Sequence, residues 1–286
     1  MQLTNGKTDR KKLTDEELKI AKANLRAWNY WGKTWQEEKG PIASHNLELI
    51  KSREITYLKA YFELSTVLGG LENKNVLDVG CGTSEYHKWS VISGAQVVGV
   101  DISIEMIKLG RGRAKGINHV VADALNLPFK DGAFDVSMTF QALHHFPDWK
   151  QALAEMLRTS RAIVVYEPNR DSFLHRLMHL IRLIFRIERR FKEIDEDYKL
   201  VEPFAVGFSS KVLVRFLEEQ GLKCKVLMSG ILPVSLLRMF YKLSPSIAFY
   251  ILMVENLTRK IPILQSQLGG FLLVGWKTNS TSECSH

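Results

Sequence analysis

The chain is poor in cysteine. It has three in 286 residues, Cys81, Cys224 and Cys284. Their number is odd, they lie far apart, and none falls in a C-x-x-C spacing, which excludes a disulfide framework and a zinc site. The fold must therefore rest on a hydrophobic core, for which a 45% hydrophobic content is ample. Long uncharged apolar runs are also lacking, so no membrane span is expected. The opening MQLTNGKTDRKKLTDEELK has no stretch of signal-peptide type. A cytoplasmic location is the expectation. There is no internal repeat and no low-complexity tract. Neither charge sign is scarce: 39 Lys and Arg stand against 31 acidic residues, a net +8. That excess would suit nucleic acid, an anionic lipid surface or an acidic substrate, and by itself selects none of them.

The first seventy residues read as helical, a cap ahead of a main domain that begins near residue 73. Thr14 and Glu17 form a capping-box pattern, and Leu18, Ala21, Leu25 and Trp28 then recur at helical spacing. A second helix is expected over 44–68, after the Gly40-Pro41 break. The aromatic residues Trp28, Tyr30, Trp31 and Trp35 are expected to pack as core rather than to close over a site.

From Asn75 the pattern changes to short β-branched runs separated by helical stretches. Strands are expected over 76–79, 96–100, 119–122, 134–139 and 162–166, and helices over 84–92, 103–114 and 148–159. Brief apolar runs rich in β-branched residues fit strands buried on both faces of a parallel sheet. The alternation implies a doubly wound α/β fold. A helix over 209–220 stopped by Gly221 and strands over 223–228 and 270–276 complete a seven-stranded, mostly parallel sheet. Helical insertions are expected at about 170–208 and 231–264. Within the first, 173–191 reads as a basic amphipathic helix carrying Arg176, Arg182, Arg186 and Arg190.

The densest chemical signal is VLDVGCGTSEY, where an apolar strand runs into Gly80 and Gly82 and then a helix. Such glycines let the backbone turn tightly against a ligand at the carboxyl end of the first strand. A second strand, in VVGVDIS, ends at Asp101, about twenty residues further on, where a carboxylate can accept both hydroxyls of an adenosine ribose. A nicotinamide dinucleotide would satisfy both elements, but its fingerprint wants a third glycine where this chain has Glu85. A carboxylate suits a pyrophosphate poorly and a cationic sulfonium well.

Together with VVADALNLPFKDGAFDVSMTFQALHHFPD and IVVYEPN, these motifs give the chain a resemblance, over about 76–169, to the class I S-adenosylmethionine-dependent methyltransferases, in particular the small-molecule, quinone-biosynthesis-like branch. The resemblance implies a Rossmann-like methyltransferase fold with S-adenosyl-L-methionine as cofactor. It places Asp78, Gly80, Cys81 and Gly82 along the methionine part, Asp101 on the ribose, and Ile102 and Met106 by the adenine. Asp123 would accept from the adenine amino group with Ala124 beside it, and Gln141 would stand where cofactor meets acceptor. The family usually has glycine where this chain has Ser84, so an altered loop with surviving cofactor binding is expected.

Methyl transfer is an in-line displacement that needs alignment and desolvation, and a base only where the acceptor arrives protonated. His144, His145 and Glu167, at strand ends, are the candidates for that base. No metal is expected, because the two histidines have no third ligand at a suggestive spacing. Nucleic acid is disfavoured as a substrate: the fourth strand is followed by neither an Asn/Asp-Pro-Pro-aromatic run nor a Pro-Cys nucleophile. The apolar segments 173–191 and 231–264, with their interspersed Arg and Lys, suit an amphiphilic acceptor or a peripheral membrane contact. Two other readings stay open, a protein that binds S-adenosylmethionine without turnover and a nicotinamide-dependent oxidoreductase.

Overall fold

The structure is a computed structural model and describes residues 14–37, 70–84, 94–114, 116–173, 176–177, 207–229 and 269–277. Its elements, in chain order, are α1 (Asp15–Glu37), β1 (Asn75–Val79), β2 (Gln96–Asp101), α2 (Ile104–Arg113), β3 (Ile117–Val121), β4 (Phe134–Phe140), a 3₁₀ turn (Leu143–His145), α3 (Trp149–Thr159), β5 (Ser160–Pro168), α4 (Ser210–Glu219), β6 (Leu222–Ser229) and β7 (Gly270–Lys277). The expected helices 44–68 and 84–92, most of 173–191, the insertion 231–264, Glu85 and Cys284 lie outside the described residues, as do the side chains of Trp31 and Trp35.

The seven strands form one open sheet in the order β3-β2-β1-β4-β5-β7-β6. β1, β2, β3, β4 and β5 pair in parallel, whereas β7 is antiparallel to both of its neighbours, β5 and β6. Strand order reverses at β1, between β2 and β4, which opens a crevice at the carboxyl ends of these strands.

Alternation along each strand divides the core into two layers. Leu77, Val79, Val98, Val100, Ile163 and Val165 share one face with Leu153 and Met156 of α3 and Leu213 and Leu217 of α4. Val76, Val97, Val136, Val164 and Leu272 form the other. Burial on both faces is why β1 and β2 are largely apolar, Asp78 of β1 being the buried exception. β3 is the exception: as an edge strand it is covered less, with His119 buried and Asn118 and Val121 exposed. It also starts two residues earlier than expected, directly after the left-handed Gly116.

The helix ends follow the capping chemistry. Thr14 Oγ1 accepts from Glu17 N at 3.2 Å while Glu17 Oε2 accepts from Thr14 N at 2.7 Å, a reciprocal box. Ser103 accepts from Met106 N and starts α2, and Asp148 accepts from Gln151 N and starts α3. The buried face of α1 differs from the expected one. Ile20, Ala23, Asn24 and Ala27 are buried and Leu18 is exposed. An asparagine on the buried face broke the apolar pattern and displaced the reading by one position. Truncating a core residue tests the α3 layer. Leu153→Ala should lower unfolding free energy by about 3 kcal/mol in denaturant titration, because Leu153 is completely buried against the sheet.

Candidate functional site

The carboxyl ends of β1 to β4 open into a cavity of about 760 Å³, a volume that includes its open mouth. Its floor is the turn after β1. Gly80 N and Cys81 N both donate to the Val100 carbonyl at 2.9 Å, which binds the turn to β2. Gly80 has φ +73 and Gly82 φ +51, a region that favours glycine. The two glycines serve different needs. A Cβ at Gly80 would stand 2.6 Å from that of Ala142, whereas a Cβ at Gly82 meets nothing within 4 Å. Gly80 permits close packing of the β1 and β4 turns, and Gly82 leaves its side of the cavity open.

Asp101 closes the turn from the end of β2. Its Oδ2 accepts from Gly82 N at 2.9 Å and its Oδ1 from Ser103 N at 2.8 Å. Asp101 itself lines the cavity. Withdrawal from water pushes its pKa up to about 6, and Asp78 adds to the rise against the lowering effect of the backbone N–H groups. After β3, Asp123 Oδ1 accepts from Leu125 N at 2.9 Å and so holds the segment that brings Ala122, Ala124 and Leu125 to the wall. Ile102 and Met106 line the same region.

The segment after β4 forms the far wall. Gln141 is one of the few non-glycine residues with positive φ, +52, and its N–H donates to the Tyr166 carbonyl at 2.8 Å. The 3₁₀ turn follows, anchored from β5 by the fully buried Glu167. Glu167 Oε1 accepts from Leu143 N at 2.8 Å, and Oε2 lies 2.6 Å from His144 Nδ1. The His144 and His145 rings lie beside each other, centroids 4.0 Å apart. His145 lines the cavity, and burial, with His144 adding to it, holds its pKa well below the ordinary imidazole value.

Most of the expected site residues meet here: Gly80, Gly82, Asp101, Ile102 and Met106, then Asp123, Ala124, Gln141 and His145. Four do not line the cavity. The Cys81 side chain stands against Gly99, and burial followed by the Asp78 and Asp101 charges pushes its thiol pKa up, so it is a packing group. Asp78 is buried behind the turn and acts through its charge. Glu167 and His144 face each other: both Glu167 oxygens are engaged, one by the Leu143 N–H and one by the His144 ring, and the side chain anchors the turn. Among the described residues no group of three His, Cys, Asp or Glu side chains could hold a metal ion.

Ser84, at the position where glycine was expected, adopts φ +55. It keeps the left-handed geometry that glycine would supply, and its buried Oγ sits 3.1 Å from His119 Nε2. The turn survives the departure. The sequence reading missed the α1 contribution, Ala21, Asn24 and Trp28, and also Phe146 and Pro147. Trp28 is a cavity wall rather than core, its ring edge-on to His145 at 5.0 Å.

The comparisons with known proteins bear on the family and the fold. Residues 77–162 match the family described as "Methyltransferase domain". A demethylmenaquinone methyltransferase of Renibacterium salmoninarum is 35% identical over 109 residues, 37% of this chain and 46% of that protein. A phthiotriol/phenolphthiotriol dimycocerosates methyltransferase of Mycobacterium tuberculosis is 30% identical over 154 residues, 48% of this chain and 57% of that protein. The chain thus spans about half the length of these relatives. Among solved structures, magnesium protoporphyrin IX methyltransferase of Synechocystis PCC 6803 with bound SAH superposes with a TM-score of 0.58 at 13% identity, covering 90% of this chain and all, 100%, of that one. A methyltransferase of Thermotoga maritima gives a TM-score of 0.51 at 17% identity, covering 83% of this chain and 97% of that one. These likenesses establish the fold.

The two glycines generate a contrast. Gly80→Ala adds a clash to a strained φ and should cost about 3 kcal/mol of stability. Gly82→Ala carries the strain alone and should cost about 1 kcal/mol. Equal unfolding midpoints for the two variants would contradict the packing role given to Gly80.

Proposed function

We propose that this protein, with its methyltransferase domain over 77–162, binds S-adenosylmethionine in the cavity at the carboxyl ends of β1 to β4 and methylates a small-molecule or lipid-like acceptor. The observation that carries the reading is Asp101, a desolvated carboxyl group at the end of β2 that holds the glycine turn and lines the cavity.

The residues fit the cofactor. Asp101 accepts the ribose hydroxyls. Ile102, Met106, Ala124 and Leu125 form an apolar slot for the adenine, and Asp123 takes its amino group. The open side of Gly82 admits the methionine part, and Asp78 and Asp101 supply negative charge toward a cationic ligand. When bound, the cofactor supplies an electrophilic methyl group on a sulfonium. The protein's share is alignment and exclusion of water by the apolar walls. Of the three residues considered for proton handling, His145 is the one at the cavity wall, and Glu167 and His144 hold its turn in place.

The relatives' names, one on a demethylated quinone and one on a lipid, support an apolar acceptor for this chain. A cytoplasmic protein that meets a membrane surface through 173–191 and 231–264 would reach such acceptors. Phe173 and Leu177, two described residues of the first segment, are exposed on either side of Arg176, as that contact needs.

Calorimetric titration with S-adenosylmethionine, S-adenosylhomocysteine and NAD is the direct test. Both adenosyl ligands should bind, NAD should not, and Asp101→Ala should abolish the heat. Binding of NAD instead, or of none of the three, overturns the reading. The pH dependence has a fixed sign. The folded Asp101 carboxyl, at about 6 against an ordinary 3.8, holds a proton that the unfolded chain has lost between these values. This group's contribution to the stability of the free protein therefore declines as pH rises through that window. The ribose hydroxyls need the charged form, so cofactor affinity runs the other way. It should be about tenfold weaker at pH 5 than at pH 7, and a flat profile would remove Asp101 from the contact.

A further inference from the structure

The chain between β3 and β4, residues 122–133, has no regular secondary structure, yet it brings Ala122, Asp123, Ala124 and Leu125 to the cavity wall. A segment without a ladder of its own must find partners for its backbone elsewhere. They come from α3, none of whose residues lines the cavity. Gln151 Nε2 donates to the Leu125 carbonyl at 3.5 Å, and Glu155 Oε2 accepts from Leu127 N at 2.9 Å. Arg158 makes most of the bonds. Its Nη2 donates to the Leu127 carbonyl at 3.0 Å, and its Nη1 donates to the Phe129 carbonyl and to Asp131 Oδ1, each at 2.8 Å. Its own carbonyl accepts from Gly132 N at 2.9 Å. Glu155 holds the guanidinium in turn, accepting from Nε at 2.9 Å and from Nη2 at 2.7 Å.

Stability alone does not account for this clasp. Leu127 and Phe129 are buried in the same core layer as Leu153 and Met156 of α3, so apolar contacts already join the helix to the segment. The ion pair carries a desolvation cost, with the Arg158 side chain 23% exposed and that of Glu155 12%, and a pair withdrawn from water in this way adds little against an apolar alternative. What a guanidinium supplies and a leucine cannot is direction. Its planar fork holds the Leu127 and Phe129 carbonyls in fixed orientation. The path of the backbone is thereby set close to Leu125, where the cavity wall begins. A wall fixed in advance spares a ligand the cost of ordering it.

We propose that Arg158 and Glu155 are positioning residues for the cofactor: gripping 127–132 from α3, they hold the adenine wall formed by 122–125 in its binding shape before the cofactor arrives. Neither lines the cavity. The proposal rests on the cofactor reading above and adds to it that affinity depends on a clasp outside the site.

The test is calorimetric titration of the full chain with S-adenosylhomocysteine, each variant first shown to be folded by circular dichroism at the temperature used. Arg158→Lys keeps the charge but replaces the fork with a single ammonium. It should bind about tenfold more weakly, the cost of ordering a short loop at binding. The loss belongs to the adenine wall, so the preference for S-adenosylhomocysteine over S-inosylhomocysteine, in which a carbonyl replaces the adenine amino group, should shrink in the same variant. Glu155→Gln leaves an oxygen for Leu127 N but removes the charge that holds the guanidinium. It should show the same loss in lesser degree, and it decides the matter if Arg158→Lys does not fold. A structural control comes from α4, where Leu217 is completely buried against Gly275 of β7. Leu217→Ala should lower the unfolding midpoint yet leave affinity within about twofold, as expected of an independent site. Unchanged affinity in the clasp variants, an equal loss in Leu217→Ala, or a base preference that stays whole in Arg158→Lys or is absent from the unaltered protein overturns the proposal and leaves the cofactor reading standing. If the unaltered protein does not bind S-adenosylhomocysteine, the cofactor reading fails and takes the proposal with it.

Discussion

A single buried carboxylate holds the site together. Glu167 lies near the end of a central strand, completely withdrawn from water, and accepts one backbone N–H and one imidazole nitrogen from the turn that follows β4. A polar group at that depth is tolerable only because both of its oxygens are engaged. The arrangement ties β5 to the 3₁₀ turn. The turn in turn presents His145 to the cavity and its carbonyl to α1. The N-terminal helix, the β4 turn and the sheet are thereby one construction, although far apart in sequence.

Much of this was legible in advance because it is local. Strands buried on both faces announce themselves as short, mostly apolar runs, and helix starts carry their caps within four residues, as Thr14 with Glu17 and Ser103 with Met106 do. The turn after β1 is also local: its glycines are needed by the backbone, and Asp101, nineteen residues beyond Gly82, bonds directly back to it. Motifs of this kind can be read because the residues that make the geometry are those that make the signal.

The misreadings have the opposite character. Asn24 interrupts the apolar stripe of α1, and a pattern reading passes over it as a blemish, yet its partner is the carbonyl of a residue 121 positions away. Trp28 reads as core because large aromatics usually are core; only its neighbour, the His145 ring, shows that the surface it covers is a cavity. Glu167 and His144 stand out in the sequence for their chemistry, but nothing local reveals that the two side chains will face each other. Cys81 fell inside a motif whose backbone, rather than its side chain, forms the site.

The position of β7 bears on how the chain is made. It lies between β5 and β6 yet follows both in sequence, and it is the strand through which β6 joins the sheet. During synthesis from the N-terminus, β1 to β5 can assemble as they emerge, but the outer edge of β5 stays unpaired and β6 has no place to dock until residues 270–277 have left the ribosome. Through that interval the nascent protein displays an apolar strand edge, the kind of surface that invites pairing between neighbouring chains and that chaperones hold apart.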